Sequence, residues 1–294
     1  GVFHLTEKDQ TIYQFDALGR LAAVADRNAN TTTLSYVGVT LSQVRAPDGR
    51  TLSFDYDGNL RLTSVSDPLG RTLGFSYNIT GELTTVTDTT GVATTMTYDA
   101  SHRLLANIDG NGHTFLTNEY NANGRVSRQV DGLGNVTTFA YDEPNRITFV
   151  TDPFGHTTTY QYDSELRLIS ERDALNQAAT YAYDANNNRI QVSDKRGNST
   201  YLAYDDRGNT TIITNTVGDV TRMTYDTRNN LLTQTDALSH TTIYTYDVHS
   251  NLLQRGDALG GSVSWTYNSY GQPVSSHDAN GNQTTYIYDA SGNQ

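Results

Sequence analysis

Cysteine is absent from the 294 residues. No disulfide framework can support the fold, and no thiol is available for nucleophilic, redox or metal chemistry. Lysine is scarce: Lys8 and Lys195 are the only two, and the net charge is −12. A nucleic-acid partner needs a basic stripe to neutralise phosphates, and the sequence offers none. No apolar run approaches the ~18 residues of a membrane-spanning helix, and no charged-then-apolar leader opens the chain. Stretches with a 3.6-residue period and caps at both ends are missing, which predicts essentially no helix. Hydrophobic residues make up 36%, too few for one dense core.

Thr, Asn, Gly, Asp and Tyr are abundant instead, the composition of many short strands joined by tight turns. They fall into a repeat. An aromatic, usually followed by Asp, stands at Phe15, Tyr36, Tyr56, Tyr77, Tyr98, Tyr120, Tyr141, Tyr162, Tyr183, Tyr204, Tyr225, Tyr246, Tyr267 and Tyr288. Eleven of the thirteen intervals are 21 residues, one is 20 and one is 22. With the aromatic as position 0, a second marker lies at +11. It reads Asp67-Pro68-Leu69-Gly70, Asp131-Gly132-Leu133-Gly134, Asp152-Pro153-Phe154-Gly155 and Asp257-Ala258-Leu259-Gly260, with looser copies at Asp109, Asp194 and Asn215.

Both markers predict turns. An Asp carboxylate accepts backbone N–H groups about two residues on, and Pro presets φ for a type I turn. Gly or Asn then supplies a residue with φ > 0, expected at Gly19, Gly81, Gly124, Asn145, Asn187, Gly208 and Gly271. Of 26 Asp residues, 21 lie in these two columns, so the acidity belongs mainly to turn chemistry. Between turns the pattern has period two, the mark of a half-buried strand. Positions 0 and −2 are bulky, as in Tyr160 and Tyr162 or Trp265 and Tyr267, while −1 is small or polar, as at Gln161 and Thr266. The expected fold is all-β: about fourteen ~21-residue β-hairpin units in a single array over residues 1–294, with roughly 28 strands in a long antiparallel sheet. An open sheet of that many twisted strands has to coil or close. Burial of the aromatic column predicts that truncating Tyr162 costs ~3–5 kcal/mol. Which aliphatic face of the second strand meets the tyrosines stays open by one residue of register.

Segments of the type Tyr-Asp-Ala-Xaa-Gly-Arg-Leu alternating with Asp-Pro-Leu-Gly-Asn-Xaa-Thr resemble the RHS/YD repeats. They are closest in style to bacterial Rhs polymorphic toxins, wall-associated relatives, and the B and C subunits of insecticidal toxin complexes. The resemblance runs from about Gln10 to Asn293. It implies a β-strip spiralling into a hollow shell that encloses and protects a C-terminal toxin domain of a secreted or injected bacterial effector. Its partners would be that cargo domain, neighbouring shell repeats and a secretion or delivery complex. The chain reads as a segment of such a shell, outside the cell or at the bacterial surface. In the toxins a self-cleavage region carries Asp-Pro-Xaa-Gly-Leu; here Arg71 follows Gly70 and His156 follows Gly155, so both are expected to be ordinary turns.

No catalytic residue, cofactor site or metal site is assigned. Glycoside hydrolysis needs two carboxylates in unlike environments, whereas the Asp columns are copied from repeat to repeat. Calcium wants six to eight oxygens, and each turn offers one carboxylate. His156 and His240 share a column four repeats apart, ~38 Å along the strip, too far for a common ligand shell. The candidate functional residues are therefore structural. They are the aromatics Tyr56, Tyr77, Tyr98, Tyr120, Tyr141, Tyr162, Tyr183, Tyr204, Tyr225, Tyr246, Tyr267 and Tyr288, and the turn residues Asp67, Gly70, Asp131, Gly134, Asp152, Gly155, Asp257 and Gly260. The runner-up to a scaffold is an extracellular adhesion or carbohydrate-binding module, in which exposed aromatic rows would stack on sugar rings.

Overall fold

The computed structural model describes residues 2–289 and 292–294. It contains 28 β-strands, from Phe3–Thr6 to Gln283–Thr285, and no helix among the described residues. Consecutive strands pair antiparallel in a meander, as the period-two pattern predicts. Two compact units can be distinguished: residues 53–184 with 191–199, and residues 1–52 with 185–190 and 200–294.

The hairpin closed by Tyr77 shows the local logic. Strand Thr72–Tyr77 runs against Leu83–Thr87, with Gly74 opposite Thr87, Phe75 opposite Val86 and Ser76 opposite Thr85. The register then slips, and Tyr77 faces Leu83. One residue at +7, Thr84, is left over as a bulge. That bulge resolves the register question. It changes parity within the second strand, so position −2 meets the aliphatic at +9 and position 0 meets the aliphatic at +6. The same slip recurs at Tyr56, Tyr98, Tyr120, Tyr162, Tyr204, Tyr225, Tyr246 and Tyr267.

The turn chemistry is that of a three-residue hairpin loop, a type I turn followed by a left-handed residue. Asp57 donates its N–H to the Arg61 carbonyl at 2.9 Å, and Leu60 N–H donates to the Asp57 carbonyl at 3.0 Å. The +11 turns are built alike: Gly70 N–H donates to the Asp67 carbonyl and Asp67 N–H to that of Arg71. Gly19, Gly81, Gly124, Asn187, Gly208 and Gly271 have φ > 0 as expected. Asn145 does not; Arg146 takes that place at φ 54°. Glu143-Pro144 lengthens this loop, Asp142 pairs with Ile147, and no bulge forms. Nor is the left-handed site restricted to Gly and Asn, since Leu60, His102 and Leu166 adopt φ of 62–63°. Their cost of ~1–2 kcal/mol is offset by the Asp hydrogen bonds that close each loop.

The two aberrant intervals have separate causes. The 20-residue step after Tyr36 comes from a two-residue hairpin loop, Gly38-Val39, with Val37 opposite Thr40 and Gly38 at φ 57°. The 22-residue step before Tyr120 is absorbed by a bulge at Phe115, between the pairs Asn107–Leu116 and Ile108–Thr114.

No dense core exists. Among the described residues the only buried apolar side chains are Ala23 and Ala25, and no large side chain is fully buried. The aromatics at 0 and −2, including Tyr160, Tyr162, Trp265 and Tyr267, are half-buried, while Gln161 and Thr266 between them are exposed. The alternation is as expected, but Tyr162 is not deeply buried. A fold of this kind is held by contacts between adjacent hairpins, so each repeat depends on its neighbours.

Candidate functional site

Within each unit successive hairpins are joined along a rim, and the Tyr-Asp pair forms the joint. Strand Leu62–Ser66 pairs with the next hairpin only through Ser64–Gly74, Val65–Leu73 and Ser66–Thr72. Toward the Tyr-Asp turn the ladder stops short of Leu62. There the Tyr77 phenol donates to the Leu62 carbonyl at 2.8 Å. The same bond, from position 0 to the carbonyl at +6 of the preceding repeat, joins Tyr36 to Leu21, Tyr98 to Leu83, Tyr120 to Leu104, Tyr141 to Val126 and Tyr183 to Leu168. It continues with Tyr204 to Arg189, Tyr225 to Thr210, Tyr267 to Leu252 and Tyr288 to Pro273, all at 2.7–3.0 Å. A phenol thus does the work of a missing ladder N–H. At the loop without a bulge the sheet pairs up to Ile147–Gln161 and the Tyr162 backbone N–H donates to the Arg146 carbonyl.

The Asp that follows the aromatic shapes the turn and orients an Arg. Asp57 Oδ1 accepts from the N–H groups of Asn59 and Arg61 at 2.8 and 3.0 Å, and Oδ2 accepts from Arg61 Nε at 2.7 Å. These bonds, first the backbone one and then the side-chain one from Arg61, hold the Asp57 carboxyl below its ordinary value. Held in this way, the Arg61 guanidinium lies 4.8 Å from the centre of the Tyr77 ring. Arg20 over Tyr36, Arg103 over Tyr120 and Arg167 over Tyr183 repeat the arrangement at 4.3–5.0 Å, and Arg125, whose turn is headed by Asn121 and which pairs with Glu143, lies 4.9 Å from the centre of the Tyr141 ring. Each contact is worth ~0.5–1 kcal/mol, small singly but repeated along the rim.

The +11 turns carry the other residues singled out. Asp67, Asp131, Asp152 and Asp257 each accept two backbone N–H groups on Oδ1. Gly70, Gly134, Gly155 and Gly260 each occupy the left-handed position, at φ 81–87°. His156 and His240 cap their own turns, Nδ1 lying 3.0 Å from Asp152 Oδ2 and from Asp236 Oδ2. No group of three or more metal-ligating side chains occurs among the described residues. The apolar residue in the middle of these turns is strongly exposed, as at Leu69, Leu133, Phe154 and Leu259.

Two repeat-family models together match most of the chain. A teneurin YD-shell model matches residues 165–294, and an RHS repeat model matches 40–72, 56–92, 77–114 and 120–148. The chain is an RHS/YD-repeat protein. No curated protein sequence matches it. Among solved structures it resembles the TcdB2-TccC3-TEV crystal structure, at a TM-score of 0.69 and 16% identity over 98% of this chain. It also resembles a Tc holotoxin pore from Photorhabdus luminescens, at 0.69 and 15% over 97%. At these identities the likeness is one of fold. This RHS/YD chain spans 19% and 18% of the length of those two chains. The Arg-over-Tyr stack and the phenol-to-carbonyl bond escaped the sequence reading, although the recurrence of Arg at +5 beside Tyr at +21 was its visible trace.

Proposed function

We infer that these repeats form part of a wall that encloses a toxin domain carried by the same parent polypeptide. The observation that supports this most is the rim. Position-0 phenols and +5 guanidiniums are spent on the neighbouring repeat, so the repeated motif serves self-association of hairpins and leaves no repeated chemistry for a substrate. The RHS/YD family membership and the fold shared with Tc toxin assemblies point the same way. On this reading the twelve tyrosines and the +11 Asp and Gly residues are structural, all 294 residues act as one array, and the wall works outside the producing cell, with a delivery complex as its outer partner.

The test is protection of cargo in the parent polypeptide. Limited proteolysis of the intact protein should spare the cargo domain, and a wall variant carrying Tyr77→Ala, Tyr98→Ala and Tyr120→Ala should expose it. Equal cleavage of cargo in both proteins would overturn the reading. A glycan array tests the adhesion alternative. Tyr201 and Tyr270 are the exposed tyrosines among the described residues and lie outside the position-0 column, so no saturable binding to one sugar class is expected.

A further inference from the structure

Position +5 changes character along the chain. In the first part it is Arg at 20, 61, 103, 125, 146 and 167, with Leu41 and Glu82 as exceptions; further on it is Asn at 188, 209, 230, 251 and 293, with Gln272 as the exception. The Arg reaches along its own rim to the next tyrosine. The shorter Asn behaves differently. Asn209, Asn230 and Asn251 donate Nδ2 to the carboxylates of Asp205, Asp226 and Asp247 at 2.8–2.9 Å. Each amide also makes a bond to a second residue. Asn209 reaches Asn229 Oδ1 at 2.9 Å and Asn230 reaches Ser250 Oγ at 3.0 Å. Both acceptors are the left-handed residue, at +4, of the following turn.

At the third step the pattern breaks. The left-handed residue of the next turn is Gly271, which has no side chain to offer. Asn251 donates instead to Oδ1 of Asn28, 223 residues away, at 2.8 Å. A Cβ on Gly271 would overlap Asn28 Nδ2, so the amide of Asn28 fills the space that a side chain at 271 would claim. Asn30 Nδ2 donates to the Tyr270 carbonyl at 2.9 Å from the same turn. Asn251 is 2% exposed and Ser250 3%, so the site is dry and shaped. On the adjoining turns Gln10 donates to the Arg228 carbonyl and Asn229 to that of Lys8. All these residues belong to one compact unit.

We propose that Asn251 and Gly271 form a recognition socket for an Asp-Xaa-Asn-Xaa-Asn turn, filled in this chain by Asp26–Asn30. The +5 Asn is the residue that lets a Tyr-Asp turn receive another turn of the same repeat type, and the missing side chain at +4 of the following turn makes the keyhole. An Arg at +5 would swing its guanidinium over the next aromatic and close that space. Recognition is by amide-to-amide and amide-to-carbonyl hydrogen bonds in a water-poor site, where a lost partner is penalised strongly.

The test compares two glycines of equal backbone conformation. Gly271 and Gly124 both have φ of +77° in Tyr-Asp turns, but a Cβ at 124 meets nothing nearer than the far end of Arg103 at 3.8 Å. Gly271→Ala and Gly124→Ala therefore share the strain of an L-residue there, and only the first evicts Asn28. Hydrogen exchange of the full chain should accelerate at least about tenfold over residues 12–15 and 21–25 in Gly271→Ala, but not in Gly124→Ala. Asn28→Ala, which removes the amide and leaves the backbone of its own turn in place, should do the same. If Gly271→Ala and Gly124→Ala exchange alike over those strands, or if Asn28→Ala leaves them unchanged, the socket is refuted.

Discussion

The phenol of Tyr77 closes on the backbone carbonyl of Leu62, fifteen residues earlier, at 2.8 Å. The bond lies where the bulge beside Tyr56 has turned the strand away from its next neighbour. Bulge and phenol are therefore two halves of one device. The bulge brings both aromatic positions against aliphatic partners and leaves a carbonyl without its ladder donor; the tyrosine hydroxyl then supplies a donor from the following repeat. That coupling explains why tyrosine outnumbers phenylalanine 20 to 8, although the two are equally good apolar fillers.

Removing only the hydroxyl should separate these contributions. Tyr77→Phe is expected to cost about 1 kcal/mol, the net worth of one hydrogen bond. Tyr162→Ala should cost about 2 kcal/mol, less than a core truncation, because the ring is half-buried. Urea unfolding of each variant checks both. A Tyr77→Phe variant as stable as the parent would show that the carbonyl finds another donor.

How much of this was legible in the sequence depends on the scale. Strand and turn positions follow from period two and from Asp-to-Gly spacing, and the meander requires nothing else. Register was hidden because a bulge leaves no mark in composition: +7 is Thr84 in one repeat and Leu105 in another. Asn145 misled because Asn tolerates left-handed geometry, yet Glu143-Pro144 moves the turn by one residue and Arg146 takes the strain. The Asn251–Asn28 contact joins residues 223 apart, a separation that no local pattern encodes.

Asp and Asn should be interchangeable at the head of a Tyr-Asp turn, and Ala should not. Asn121 and Asn268 already accept the two backbone N–H groups through Oδ1 that Asp57 accepts elsewhere, and Asn78 accepts the Glu82 N–H and the Thr80 hydroxyl. Asp57→Asn keeps the loop and is expected to melt close to the parent, while Asp57→Ala releases both N–H groups and Arg61 and should melt clearly lower. Equal melting of the two variants would mean that the carboxylate does not organise the turn.

Acid should loosen the array. Backbone and then side-chain bonds from the +5 Arg lower the carboxyls of Asp16 and Asp57, and side-chain and then backbone bonds lower that of Asp99, all from an ordinary value of 3.8. For such groups the unfolded chain takes up protons first as pH falls. The stability they confer is complete above about pH 5, begins to fall near the unfolded value, and is lost as pH drops through the lower folded values. Denaturant midpoints should be flat from about pH 7 to pH 5 and decline below about pH 4. Replacing Asp16, Asp57 and Asp99 together by Asn should make that decline shallower; an unchanged slope would assign the acid response to other groups.

Deleting one residue should do least harm where the chain already carries one too many. Phe115 is the bulged residue in strand Thr114–Tyr120, opposite the step from Asn107 to Ile108. Its removal brings the Tyr98–Tyr120 interval from 22 to 21 residues and lets Ile108–Thr114 and Asn107–Leu116 follow one another as a regular ladder. Phe115 is also 43% exposed, so little apolar burial is lost. The deletion is expected to shift Tm by less than about 4 °C, equivalent to ~1 kcal/mol in a chain of this size. Deleting Thr117 instead inverts the side chains on one side of the cut, carrying Asn118 and Tyr120, or Leu116, to the opposite face. Asn118 would then lose its bonds to the Leu104 carbonyl and Gln129, and Tyr120 its bond to the same carbonyl. That variant should melt far lower, and a pair of deletions with equal Tm would show that strand register here is not fixed by the bulge.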